Sequence, residues 1–265
     1  MSVMESVVKK SGKRPPAAAK EAVWVFESDQ DGQHKRGAPA LAVKYQGAVQ
    51  GISSGMAGDS YALRTRDKEN KLLSWEEIQE QVRTFRDFVQ EQADRNFRIL
   101  PSSHKKSEKE HARFTDFLRN VPSNCELPGR MLERLNRLDT VRIILLDTNV
   151  TLVETERRRV LDQYFAANEG LWDVDHIEIV SFGNAQSLIV NDKYAKERGY
   201  RHRIITADPD LYGSHTTAVR ELLSIAYATK LVCINDPTGT STGNQAGAIH
   251  LAACAELQID ELLIQ

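Results

Sequence analysis

Cysteine is scarce in this chain: Cys125, Cys233 and Cys254 stand far apart and are odd in number. No C-x-x-C pair occurs, which excludes a disulfide framework and a zinc ribbon. The seven histidines form neither H-x-x-x-H nor H-E-x-x-H, so no metal site is expected. Long apolar runs are missing too. The longest, around VRIILLD (141–147), has the length of a strand and falls far short of the ~20 residues of a membrane span. The N-terminus carries no apolar signal core, so a cytoplasmic protein is expected. Neither sign of charge dominates: 35 Lys and Arg against 37 Asp and Glu leave a net of −2. That balance excludes a protein devoted to coating nucleic acid. There is no G-x-S-x-G elbow and no Walker loop.

What is present is 265 residues with 41% hydrophobic content, enough for one large domain or two ordinary ones. Residues 1–22 hold five Lys or Arg against two Glu around KKSGKRPPAAAK and read as a basic flexible tail. If the chain meets nucleic acid at all, it is through this tail. Strands are expected at AVWVFE (22–27), DSYALRT (59–65) and FRIL (97–100), with a short helix at ALAVKYQGA. The clearest helix is capped by Ser74 with Glu77 three residues on, followed by Ile78, Val82, Phe85 and Val89 at helical spacing. The highly charged run SHKKSEKEHARF (103–114) is expected to merge into a helix with Phe114, Phe117 and Leu118 on one side, and VPSNCELP, bracketed by Pro122 and Pro128, closes a first domain at 23–130. From 131 to 265 the pattern alternates strand and helix: strands at 141–147, 176–182, 202–207, 230–236 and ELLIQ. Such alternation argues for a parallel, Rossmann-like sheet. The expected fold class is therefore α/β with two domains.

In an open parallel sheet, ligands sit beyond the carboxyl ends of the strands. The segment after the fourth strand of the second domain, NDPTGTSTGN, is the most informative. Gly239 and Gly243 flank Thr240, Ser241 and Thr242 just before an apolar helix, which offers hydroxyls and free amides to an anion. The same residue types also serve ordinary helix capping. Asp208, Tyr212 and Arg220 follow the third strand. If the third and fourth strands are adjacent, both groups reach one sheet edge, with Arg220 either facing an anion or pairing with Asp208 or Asp236.

The blocks SFGNAQSLIVNDKYAKERGY, ADPDLYGSHTTAVRELL and DPTGTSTGNQAGAIHLA resemble, in order and spacing, the SLOG superfamily of Rossmann-like nucleotide-binding domains. Ser181, Gly183, Tyr194, Ala195, Gly199, Ala207, Asp208, Tyr212, Gly213, Arg220, Asp236, Gly239 and Thr240 carry the match. Phe182, Gln186, Leu188, Pro209 and Glu221 depart from it, as does Asn244 or Gln245 where the enzymes of the superfamily have an acid. The resemblance implies the fold and a phosphate-binding loop. The lost acid argues against cleavage of a glycosidic bond.

The first domain resembles a macro-domain-like family of bacteria and phages. Phe26, Ser28, Gly32, His34, Gly37, Ala38, Gly47, Ala48, Ser60, Tyr61, Ala62, Leu63, Thr65 and Asp67 carry that match. It implies a macro-like α/β domain with His34 and Gly37 at a ligand loop, and a host cytoplasm if the chain is phage-encoded. Family F-G-S-N becomes Phe26-Glu27-Ser28-Asp29, and a glycine-rich loop after FRIL becomes PSSHKKSEKE. Glu27 and Asp29 are expected to repel a diphosphate placed there.

The functional expectation is a non-catalytic or weakly active binder of a nucleotide-derived ligand of the ADP-ribose or signal-nucleotide type. The alternatives are a structural or protein-interaction factor on a degenerate scaffold, and an N-glycosidic or ADP-ribosyl hydrolase. No catalytic residue is assigned, no cofactor and no membrane are expected, and self-association is left open.

Overall fold

The computed structural model describes residues 22–102, 104, 106–147, 154–168, 171–172, 174–183, 185–235 and 243–264. The basic segment expected at the N-terminus lies, but for Ala22, outside them.

The first half builds a mixed sheet. Its elements are β1 (Val23–Ser28), α1 (Gly37–Tyr45), β2 (Gly55–Ala57), β3 (Ser60–Arg64), α2 (Trp75–Glu91), β4 (Phe97–Ile99), α3 (Glu108–Phe117), β5 (Cys125–Glu126) and α4 (Gly129–Arg134). The strand order is β2-β3-β1-β4-β5, with β2 antiparallel to β3 and the other pairs parallel. Alternation along β1 gives the sheet its two faces. Val23 and Val25, with Tyr61 and Leu63, pack against Ile78, Val82 and Phe85 of α2 and Phe114 of α3. Trp24 and Phe26, with Ala62, face Ala38 and Ala42 of α1. The capping box of α2 forms as expected: Glu77 N–H donates to Ser74 Oγ at 3.3 Å, and Ser74 N–H donates to Glu77 Oε2 at 3.1 Å. A second box, Ser107 with Glu110, starts α3 at Glu108, several residues later than the charged run suggested.

The second half comprises β6 (Val141–Asp147), α5 (Glu154–Ala167), β7 (Ile177–Ser181), α6 (Ala185–Arg198), β8 (Arg201–Ile204), α7 (Pro209–Tyr212), α8 (Thr216–Tyr227), β9 (Lys230–Asn235), α9 (Gly243–Cys254) and β10 (Gln258–Leu263). All pairs are parallel, in the order β10-β9-β6-β7-β8. Ile143, Ile179 and Val232 face α5 and α6, whereas Ile144, Val180 and Leu231 face α8 and α9. The expected α/β class with a Rossmann-like parallel sheet is what forms. β8 ends at Ile204, sooner than expected, and β10 starts at Gln258, ahead of ELLIQ.

One helix serves both sheets. Val219 and Leu222 of α8 join Trp24 and Phe26 in one cluster, while Ile225, one turn on, joins Ile144 and Leu231 in another. The layers therefore run α2 and α3, first sheet, α1 and α8, second sheet, α5 and α6. At the foot of α8 the backbone of α4 comes so close that a Cβ on Gly129 would lie 2.2 Å from the Tyr227 carbonyl oxygen. Among the described residues no helix is long and apolar enough to cross a membrane.

Candidate functional site: the carboxyl edges of the two sheets

In the first sheet, the chain leaves β1 for the α1 face but leaves β3 and β4 for the face of α2 and α3. Connections departing to opposite faces open a crevice beside β1, the place where ligands sit in such sheets. Here that crevice is filled from within. Glu27 forms a buried ion pair with Lys106, their side chains 8% and 2% exposed. Thr65 Oγ1 donates to Glu27 Oε2 at 3.0 Å, and the Lys106 ammonium lies 4.4 Å from the centre of the Phe114 ring. Burial opposes ionisation of Glu27, but attraction to Lys106 and hydrogen bonds from Lys106 and Thr65 outweigh it and hold the carboxyl below its usual range.

Asp29 is also spent internally. Its Oδ1 accepts from Asp31 N–H at 3.1 Å and Gln33 N–H at 3.0 Å, which makes it a staple of its own loop. Glu27 and Asp29 thus each have a partner within the protein. His34 is buried, with its ring edge-on to Phe26 at 4.7 Å. Ser28 Oγ donates to the Asp29 carbonyl at 3.1 Å, so it accepts from His34 Nε2–H, also at 3.1 Å. That bond fixes the neutral tautomer, and burial pulls the imidazole pKa down against the opposing pull of Asp29. His34 thus acts as a pillar for the loop. Gly37 opens α1 at φ 59°, in the left-handed region that side chains rarely enter, so its role is conformational.

In the second sheet, β6 and β9 are neighbours, and their connections run to opposite faces, to α5 and α9. The crevice lies between them. The expected adjacency of the third and fourth strands does not occur: β6 and β7 stand between β8 and β9, because α8 crosses the sheet before β9 begins. Gly239, Thr240, Ser241 and Thr242 lie outside the described residues, as does Asp236, and Gly243 is the first residue of α9.

Asp208, Tyr212 and Arg220 do not converge as a group. Asp208 caps α7 by accepting from Asp210 N–H at 2.9 Å. Tyr212 is buried in the core shared by both sheets. Its carbonyl accepts from Tyr45 Oη–H at 2.7 Å, and its hydroxyl accepts from Gln46 Nε2 at 3.4 Å. Arg220 makes no ion pair with Asp208; it exerts a charge influence on Glu221, and its Nε is buried without a partner. Glu221 points toward α9, 3.8 Å from where a Cβ on Gly247 would sit, so burial raises its pKa while Arg220 opposes the rise.

Beneath α6 runs a polar chain that sequence reasoning missed. Arg157 Nε donates to Asp147 Oδ1 at 2.7 Å, and its Nη2 donates to Asn191 Oδ1 at 2.5 Å. Asn191 Nδ2 donates to Ser181 Oγ at 3.0 Å. His202 joins Ser181 Oγ at 2.9 Å through Nε2 and Asp192 Oδ1 at 3.1 Å through Nδ1. A carboxylate only accepts, so Nδ1 carries the proton and Ser181 donates to Nε2. The polarity is that of a nucleophile relay, yet Ser181 is 1% exposed. It orients the end of β7 from within the core. Among the described residues no group of three or more His, Cys, Asp or Glu could hold a metal. No family model matches the chain, and no curated protein matches it.

Proposed function

We propose that the chain binds a nucleotide-derived anion of the ADP-ribose or signal-nucleotide type at the carboxyl edge of its second sheet, and does not turn it over. The observation that carries this reading is the strand order, which opens a crevice between β6 and β9 with α9 starting beside it. Arg220 supports it with a half-buried guanidinium on α8, the helix packed against α9. The absence of turnover rests on Ser181, whose polarised hydroxyl is sealed under α6, and on Phe182 and Leu188 in positions where the SLOG resemblance asks for a glycine and an acid.

The test is differential scanning fluorimetry of the full chain with ADP-ribose, NAD and cyclic nucleotides, with chromatography of the mixtures. Binding raises the melting temperature, and the rise disappears in Gly239→Val and in Arg220→Ala while the unliganded protein still melts cooperatively. Release of free base or ribose would favour the hydrolase instead. No shift with any of these ligands would leave the second reading, a scaffold that engages a protein partner. That reading draws its support from the Glu27–Lys106 pair, which fills the first crevice with the protein's own side chains.

A further inference from the structure

Where α1 meets the turn before α8, the geometry points to a site for a phosphate group, built by Lys44, Ser214 and His215. Lys44 Nζ lies 3.0 Å from His215 Nδ1 and 3.4 Å from Nε2, although the two residues are 171 positions apart in the chain. Ser214 Oγ stands 3.1 Å from His215 Nδ1. The cluster is held in place from below. Tyr45, whose ring lies 5.0 Å from that of the buried Tyr212 and whose hydroxyl bonds the Tyr212 carbonyl, also packs 5.6 Å from the His215 ring. Thr216 Oγ1 ties the turn by donating to the Gly213 carbonyl at 2.6 Å.

What the cluster lacks is an anion. Among the described residues no carboxylate pairs with Lys44 or His215, and the first turn of α8 contains no acidic residue. The Lys44 ammonium faces the His215 ring and keeps N–H bonds to spare. Lys44 from α1 and Ser214 and His215 from the turn before α8 lie side by side, with Lys44 and Ser214 exposed. A phosphate has a charge to match the ammonium and enough oxygens to accept from all three side chains. The group comes either as inorganic phosphate or as the terminal phosphate of a nucleoside monophosphate.

Titration of the full isotope-labelled chain with inorganic phosphate and with AMP, at constant ionic strength, tests the site. Saturable shifts are expected in the amides of 214–217. Tighter binding of phosphate identifies the free ion, and tighter binding of AMP identifies the ester. Lys44→Met and His215→Ala are each expected to weaken binding by about tenfold, whereas Lys44→Arg retains it. Lys44 and Ser214 are exposed, so the Lys44 variants keep the fold. A response that does not saturate, or one that Lys44→Met leaves intact, overturns the proposal.

Discussion

Glu27→Gly tests the filled crevice beside β1, and the structure makes the outcome calculable. The variant removes one partner of an ion pair whose lysine side chain is only 2% exposed. Breaking a buried pair from one side costs about 3–5 kcal/mol, because the remaining charge loses its counter-ion without regaining water. Against a total stability of about 5–15 kcal/mol that is a large loss. At roughly 2–4 °C per kcal/mol for a chain of this size, the melting temperature falls by about 10 °C. The double variant Glu27→Gln with Lys106→Met removes both charges and is expected to recover most of the loss. Acid supplies a second readout. The Glu27 carboxyl is held below its usual range, so its contribution is complete above the ordinary carboxylate pKa and is lost as pH falls through the folded value. Glu27→Gln therefore costs most near neutrality and converges with the unaltered protein in acid. Calorimetry at pH 7 and pH 3 measures both effects. A Glu27→Gly variant that melts within a degree of the parent, or that gains ADP-ribose affinity at no cost in stability, would refute the plugged crevice.

Burial, with Lys106 nearby, pushes His111 down to about 4 from the ordinary 6.5. The folded protein thus resists a proton that the unfolded chain accepts. Stability is full above about pH 6.5 and declines by up to about 3 kcal/mol toward pH 4, and His111→Leu should flatten that slope in melting curves. Gly129→Ala should cost about 1–3 kcal/mol in chemical denaturation, despite alanine's better helix propensity, because its Cβ would meet the Tyr227 carbonyl at 2.2 Å. Ser181→Ala leaves Asn191 and His202 without their shared partner. A loss of about 1–3 kcal/mol is expected, with faster amide exchange in β8.

The legible parts of this fold are those written in local pattern. α2 was readable because Ser74, Glu77 and the apolar positions 78, 82, 85 and 89 agree on one helix. β6 was readable from its unbroken apolar run. The start of α3 was written in the same S-x-x-E pattern at Ser107 and Glu110, but the charged residues before it obscured the boundary. β2 and β5, three and two residues long, carry no periodicity to read. Strand order is not local at all: nothing in 201–235 says that α8 will carry the chain across two strands before β9 forms. The crevice beside β1 offered one overlooked clue. A carboxylate next to the last residue of a strand as apolar as VWVFES needs a cation, and the foreign loop PSSHKKSEKE supplies it. The acid in the strand and the base in the loop form one buried pair.

The shared helix bears on whether either half stands alone. Val219 and Leu222 are 0% and 1% exposed, and Tyr212 is 9% exposed, all through contact with a cluster that contains Trp24 and Phe26 of the first sheet. A fragment of residues 131–265 would turn those three side chains to water. At about 1.5–3 kcal/mol for each large apolar side chain, the loss is roughly 5–8 kcal/mol, comparable with the whole stability of a domain. A fragment of residues 22–130 would in turn bare Trp24 and Phe26. Each fragment expressed alone is expected to self-associate in size-exclusion chromatography and to lack a cooperative melt, whereas co-expression should return a one-to-one complex. The tight seat of Gly129 on α8 adds a contact that only the complex can make. A fragment of 131–265 that is monomeric and melts cooperatively would mean that α8 can turn its first-sheet face inward, and the layered arrangement would then be a contact between independent domains.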